Sequence, residues 1–504
     1  MASGYIDEVE DERGGAMAER IVVVGAGIAG LAAAIYGRLA GYDVEVFEKN
    51  AVPGGECTGW DRRGHHIDNC IHWLTGSKSG NALNDVWLTT GALGDDTEFV
   101  PGDKFFTARI DGREVTLWHD LDRTERELSA LSPADAGEAK RLMQAVRQAR
   151  CCEIPAEKPL DMMGVLDYLK MGLRMKDMPK VMKVYGDVSL GELAERFKDP
   201  LLRMLVGAYM PADYAAYAFI VSYATMASGN GRVPRGGSRA LALRMSAKLE
   251  EVGGRIHLSS PVKRIRQHEG RVTGVILQDG TEVASDFVVY AADMSLLFGG
   301  LVERELMPEE WARAYKDRSS YPVMSGLQVA FSIPEESVPS GTTLFACAPF
   351  RVGPREASCL TSHCYDYEPT WAPEGRAVVQ VNLTQSDADW EWWKSLGKAD
   401  YRTSKERAAT IFADRLVSAF PKAADGLELL DVWTPVTYER FCGAYRGSYM
   451  GFKATPKTKS PSCKGVVEGL PGLYLAGQWM TNPGGLPIAV TSGKFAIQRI
   501  QRSK

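Results

Sequence analysis

The sequence predicts an α/β chain: a Rossmann-type nucleotide domain, discontinuous along the chain, with an α+β substrate domain inserted into it. Three observations predict this. The β-branched run Ile21-Val22-Val23-Val24 leads into Gly25-Ala26-Gly27-Ile28-Ala29-Gly30 and an Ala-rich helix to about residue 40. Residues 43–47 form a second strand closing on Glu48, which completes a βαβ unit. Far along the chain, Leu473-Tyr474-Leu475-Ala476-Gly477 reads as another strand, followed by a Gly/Pro-rich turn and a helix over 487–501.

The remaining elements follow in order. Residues 105–110 and 113–118 form a hairpin, because Asp111-Gly112 supplies the positive φ angles of a tight turn. Helices dominate 120–228: Ser132-Pro133 opens one to about residue 150, and Ser189-Leu190-Gly191-Glu192 is a capping box opening another. Residues 262–290 read as a meander, with turns at Glu269-Gly270 and Asp279-Gly280. The stretch 320–385 is strand-rich. A helix over 403–420 starts at a Thr403…Glu406 capping box and stops before Pro421. The expected division is a tail over 1–18, nucleotide-domain segments 19–103, 229–298 and 465–504, and substrate-domain segments 104–228 and 299–464.

Composition narrows the class. The 504 residues are 45% hydrophobic and 24% charged, which excludes disordered and collagen-like chains. A net charge of −5 argues against a nucleic-acid partner. No window reaches the roughly 18 uninterrupted apolar residues of a spanning helix, and the acidic start (Asp7, Glu8, Glu10, Asp11, Glu12) is unlike a secretory signal. Nine cysteines without a CxxC fit reduced thiols. The expected location is cytoplasmic, with a peripheral membrane position as the variant; oligomeric state is left open.

The glycine spacing carries chemistry. Gly25 makes a tight turn, Gly27 lets backbone approach a pyrophosphate, and Gly30 lets helix and strand pack closely. The helix N-terminus supplies N–H groups and a positive dipole end. Glu48, 18 positions after Gly30, is placed to accept hydrogen bonds from ribose hydroxyls.

Further motifs specify the nucleotide. They are Glu48-Lys49-Asn50-Ala51-Val52-Pro53-Gly54-Gly55, Val233-Pro234-Arg235-Gly236-Gly237-Ser238, Thr434-Pro435-Val436-Thr437-Tyr438-Glu439-Arg440-Phe441, and Leu473 to Gly477 with Pro483-Gly484-Gly485-Leu486-Pro487. With these the chain resembles the flavin amine oxidase superfamily, and within it the phytoene desaturase, carotenoid isomerase and retinol saturase group. The resemblance spans nearly the whole chain and implies FAD. It places Gly25, Gly27, Gly30 and Glu48 on the ADP half, flanked by Ile28, Ala29 and Lys49. Gly54 and Gly55 pass the pyrophosphate and flavin, Val262 meets the adenine through its backbone, and Gly477, Gln478, Gly485 and Leu486 line the ribitol and flavin ring. Two positions depart from the family pattern: Glu56 stands where a basic residue is common, and Gln478 where Asp is common. A carboxylate beside a pyrophosphate is unfavourable, so Glu56 must point away or be compensated by Arg62 or Arg63.

On the substrate side no second nucleotide motif occurs, so an external electron donor or acceptor is expected, or a cycle without net redox change. The resemblance implies reactions at carbon–carbon bonds of a long apolar molecule. Tyr214, Tyr217, Phe219, Ile220, Tyr223 and Met226 recur at helical spacing, as a tunnel lining or as an ordinary helix core. Met171, Met175, Met178 and Met182 form a stripe opposed by Lys176, Lys180 and Lys183, with Pro179 breaking the helix. Two roles compete for this stretch: shallow membrane contact through 161–186, or a lid packed on the core. Cys57, Cys70, His65, His66 and His72 cluster, but their spacing matches no common zinc pattern, and no metal is expected. The resemblance brings the extended segment carrying His72 beside the flavin, which makes His72 a candidate proton donor. Arg440 and Tyr445 fall in the carotenoid isomerase-like stretch as candidates for orienting substrate. An oxygen-dependent amine oxidase, expected to carry an aromatic cage, and a non-catalytic carrier of lipidated proteins are the alternatives.

Overall fold

The computed structural model describes residues 18–459, 461 and 463–503; the tail expected over 1–18 lies outside the described residues except for Ala18. Five parallel strands form one sheet in the order Leu473–Leu475, Phe287–Tyr290, Arg20–Val24, Asp43–Phe47 and Arg255–His257. Ile21, Val22 and Val23 are fully buried, which is why the central strand reads as an unbroken apolar run. The helices Ile28–Leu39 and Leu486–Arg502, from opposite ends of the sequence, pack together on this sheet.

A second sheet has seven strands, ordered Glu428–Trp433, Ser325–Pro334, Arg376–Gln385, Arg355–Cys364, Gly341–Val352, Lys104–Ile110 and Arg113–Trp118. The early hairpin joins it through parallel pairing of Lys104–Ile110 with Gly341–Val352. Helices between residues 121 and 227 cover one end of this sheet and share a core with the hairpin.

Three element assignments are corrected. Residues 287–290 do not continue the meander, which holds only Val262–His268, Arg271–Leu277 and Glu282–Ala284. Phe287–Tyr290 is buried at every residue and pairs in the parallel sheet instead. Arg255–His257 is an additional edge strand that the sequence reading lacked. The helix expected from 403 begins at Lys398. Tyr401 anchors the extra turn, its hydroxyl 2.7 Å from Thr434 Oγ1 and its ring edge-on to Trp393.

One buried carboxylate ties the pieces together. Asp68, fully buried, ends the strand His65–Asp68. Its Oδ1 accepts from the Cys70 and Ile71 N–H groups and the Ser238 hydroxyl, and Oδ2 accepts from the Ser238 N–H at 2.6 Å. Ser238 lies in the first turn of the helix Gly237–Glu251, so the carboxylate also meets the positive end of that helix. The Gln380 side chain, from the second sheet, donates to the Asp68 carbonyl. Removing the carboxylate strands several buried donors. Asp68→Ala is expected to lower folding stability by about 3–5 kcal/mol, and Asp68→Asn by less than half of that, both measured by denaturant unfolding.

Candidate active site

The glycine turn has the geometry its spacing implies. Gly25 has φ +99 and donates its N–H to Phe47 O. A Cβ on Gly30 would lie 1.9 Å from Gly25 O, so no other residue fits there. Gly27 caps the helix Ile28–Leu39 without a side-chain hydrogen bond, and a Cβ there would meet nothing closer than 4.0 Å. The first-turn N–H groups, including those of Ile28 and Ala29, thus face open space. Gly54 donates to Ala26 O and pairs with Gly27, bringing Gly54 and Gly55 alongside the turn.

Glu48 orders this turn. Its Oε2 accepts from the Ala26 N–H at 2.9 Å and its Oε1 from the Asn50 N–H at 2.8 Å. Its own N–H bonds His257 O, and its carbonyl accepts from Ser260 N–H, which sets the segment entering Val262 beside it. Lys49 is exposed and reaches the Arg440 carbonyl.

A cavity of about 780 Å³ extends from the other side of the site. One end is formed by Glu56, Asn69, Cys70 and residues 482–488. Gly485, φ +83, caps the helix Leu486–Arg502 without a side-chain bond, so a second uncapped helix start points into the cavity. Gly477 and Gln478 stand next to it, and Gln478 Nε2 donates to Glu56 Oε2 at 3.3 Å. Two open, uncapped helix starts and a glycine turn fit the pyrophosphate and the polar edge of the ring of FAD.

Glu56 neither points away nor meets Arg62 or Arg63. Arg62 pairs with Asp431 and Arg63 donates to Leu429 O. The Glu56 side chain faces the cavity, and burial pushes its pKa up to about 8. A neutral acid removes the conflict with a pyrophosphate that a carboxylate would create.

His72 lines the cavity. It stacks on His363, with centroids 4.8 Å apart and planes 12° apart. Burial depresses the His72 pKa to about 4 and that of His363 well below the usual value. Burial thus disfavours the imidazolium form that a His72 proton donor would use. His363 is held by Thr342 and Tyr367, both at 2.8 Å. It lies nearly 300 residues from His72, and no spacing rule links the two. Arg440 is exposed, its guanidinium stacked over Phe441, and it does not line the cavity. Tyr445 packs against Tyr315 and Trp479 behind the cavity wall, with its N–H on Asp293. Neither is placed to orient a substrate in this cavity.

The aromatic helix Ala216–Ala227 splits its faces. Tyr214 and Tyr217 line the cavity with Val221 and Thr225, whereas Phe219, Ile220, Tyr223 and Met226 fill the core. The methionine stripe also turns inward. Met171, Met175, Met178 and Met182 line the cavity mouth from two helices, Val165–Arg174 and Met178–Tyr185. The break precedes Pro179, which sits in the first turn of the second helix. The most exposed apolar side chains of this stretch are Val165, Leu166, Leu169 and Leu173, at 58–77%, and Leu160, Tyr168, Val184 and Met182 itself are also exposed. Among the described residues no three His, Cys, Asp or Glu side chains converge as a metal site, and no helix is long and apolar enough to cross a membrane.

Glu48→Ala removes the acceptor for two turn N–H groups. It is expected to weaken FAD binding roughly 30-fold, at about 2 kcal/mol for charge-assisted hydrogen bonds, read by titrating the stripped protein with FAD and following flavin fluorescence.

The chain is similar to known proteins along nearly its whole length. Phytoene desaturase (lycopene-forming) of Paracoccus sp. is 25% identical over 95% of this chain and 97% of its own length. Prolycopene isomerase, chloroplastic, of Daucus carota is 24% identical over 90% of this chain and 73% of its own. The fold is shared with a variant of putrescine oxidase, at a TM-score of 0.63 and 18% identity over 96% of this chain and 99% of that one. It is also shared with an oxidoreductase from Methanosarcina mazei, at 0.59 and 17% over 96% and 100%. Residues 28–501 match the family described as flavin containing amine oxidoreductase, and with the glycine turn, Glu48 and the uncapped helix at Gly485 in place, the chain belongs to that family and takes FAD as its cofactor.

Proposed function

We propose that this flavoenzyme acts on carbon–carbon bonds of a long apolar substrate such as a carotenoid, a retinoid or an unsaturated fatty acid, by desaturation, saturation or double-bond isomerisation. The cavity wall carries the proposal. It runs from the uncapped helix at Gly485 to a methionine-lined mouth; its charged side chains, Glu153, Glu157, Lys158, Asp167, Lys170 and Arg174, all belong to the segment 153–174, and elsewhere burial favours the neutral forms of Glu56, His72 and His363. Such a lining suits a molecule without charge. When bound, FAD supplies the hydride-accepting or hydride-donating centre. The chain orients the substrate along the Tyr214 and Tyr217 face and excludes water. The phytoene desaturase and prolycopene isomerase likeness supports the same class.

An amine substrate fits less well. Tyr438 and Tyr449, the aromatic pair on the cavity wall, meet edge-on at 61° instead of facing each other as a cage. The acids at the mouth are already paired: Asp167 with Lys158, and Glu153 and Glu157 with Arg174. The intact glycine turn and Glu48 count against a flavin-free carrier.

The exposed leucine face beside the mouth supports entry from a lipid surface. Lys170, Lys176, Lys180 and Lys183 are exposed around it. Here the leucines, not the methionines, make the contact, and the methionines receive the chain that leaves the bilayer.

Two measurements test the proposal. Anaerobic incubation with a panel of polyenes is run twice, with oxidised FAD and after reduction of the flavin by dithionite: a product lighter by one hydrogen molecule is expected from the oxidised form, one heavier by one from the reduced form, or one of equal mass with altered geometry. Peroxide release on adding a diamine, with no change in any polyene, would overturn it. Replacing Leu166, Leu169 and Leu173 with Ser is expected to weaken binding to anionic vesicles roughly 100-fold, at about 1 kcal/mol per half-buried leucine, in a flotation assay.

A further inference from the structure

The geometry points to Glu56 as the proton-transferring group of the reaction, an inference that rests on the carbon–carbon chemistry proposed above. Removing two hydrogens from adjacent carbons sends one out as a hydride, to the flavin as oxidant, and the other as a proton. The electron pair left by that proton forms the new double bond, and the proton needs a base close to the carbon that releases it. In the reverse direction the same group returns the proton to carbon.

Position selects Glu56. It directly follows Gly54-Gly55, which lie beside the nucleotide turn, and it is held opposite Gln478 at the end of the cavity where the helix Leu486–Arg502 starts. Its backbone is fixed by Asn69, whose side-chain amide donates to Glu56 O at 3.0 Å. The backbone is thus fixed by Asn69 and the carboxyl is held toward Gln478, beside the start of the helix Leu486–Arg502 on the cavity wall. Among the described residues Gln478 is its only side-chain hydrogen-bond partner, so one oxygen remains for the substrate side.

The surroundings keep this carboxyl a usable base. The titratable groups around it are Asp293, Cys70, Cys442, Tyr438 and Tyr449, and burial pushes the pKa of the last three up. Cys70 is pushed up by its contact with Cys57 and by burial, and Asp293 by burial. Among the described residues no lysine or arginine charge acts on Glu56. A carboxyl raised to about 8 gains proton affinity and still exchanges protons near neutrality. The other acid–base candidates fit worse: His72 at about 4 is a weak base whose cation would be unpaired, and both nitrogens of His363 are engaged. The sign for pH follows. Desaturation needs the carboxylate, so its rate rises as pH rises through about 8; saturation needs the acid and falls over the same range.

The test uses the FAD-loaded protein and the isosteric Glu56→Gln, with Glu56→Asp as a second variant that keeps the acid. A pH titration of the bound flavin's visible spectrum needs no substrate. The wild type is expected to show a transition at about pH 8 or above, since bound FAD adds negative charge nearby. Glu56→Gln should lack it, and Glu56→Asp should retain it. With a polyene that the wild type turns over, Glu56→Gln should slow flavin reduction roughly 100- to 1,000-fold at unchanged FAD content. A wild type without the transition, a Glu56→Gln protein that keeps it, or one that reduces flavin at the wild-type rate overturns the inference. A wild type that turns over no polyene overturns the carbon–carbon reading instead, and the substrate role of Glu56 with it, while the titration still decides whether Glu56 is the group that ionises.

Discussion

The buried Asp68 carboxylate is the constraint on which the rest of the site depends. Three stretches of chain, remote in sequence, converge on it: the hairpin 59–71, the turn before the helix Gly237–Glu251, and the strand Arg376–Gln385. The first and the last bring parts of the cavity wall. The hairpin continues directly into Asn69, Cys70 and His72, and the strand presents Gln380 and Asn382. A second tie runs parallel to it, with Gly236 N–H on Glu368 and Arg235 on Tyr367 O. Where sheets from separated segments must meet at a fixed distance, hydrogen bonds with defined donors and acceptors specify the register better than apolar contact does.

That junction also determines the electrostatics. Joining the two sheets around Asp68 encloses the cavity and dries its wall. Desolvation then acts with opposite sign on the two kinds of group it traps. It lifts the carboxyl of Glu56 and the phenols of Tyr209, Tyr214, Tyr438 and Tyr449, and it depresses the imidazoles of His72 and His363. The charges that remain are at the mouth and are paired there. The helix that carries several of them, Val165–Arg174, buries no residue. It is held by its ion pairs and hydrogen bonds, a weaker attachment than a packed core.

The legible part of the fold was the part written locally. The glycine turn, the 105–118 hairpin and the Ser189 capping box each need only a few adjacent residues, and each has the local geometry its sequence implies. Long-range pairing was not legible. Residues 287–290 are as consistent with an antiparallel meander as with a parallel sheet, because a short buried strand carries no mark of its partner. The stacked His72 and His363 pair shows the same limit within the site. The Met stripe was correctly periodic, but its two possible roles could not be separated: a 3.6-residue period identifies a face and says nothing of what the face meets. Arg440 and Tyr445 were assigned from a resemblance in one stretch, and the packing of that stretch turns the first to solvent and the second into an aromatic cluster around Asp293.

The shared fold with putrescine oxidase makes the cavity wall the discriminating feature. A fold shared at 18% identity does not fix the substrate. What separates substrate classes is the free energy of placing a charge in the cavity. An ammonium ion passing the mouth, where Glu153, Glu157 and Asp167 are already paired with Arg174 and Lys158, would leave water for a lining of methionine, tyrosine and imidazole, and the cost of an unpaired buried charge is several kcal/mol. A polyene pays no such cost and gains from every ångström of apolar wall. The neutral state of Glu56 follows from the same balance: in a cavity built to be dry, the carboxyl keeps its proton until the reaction calls for it.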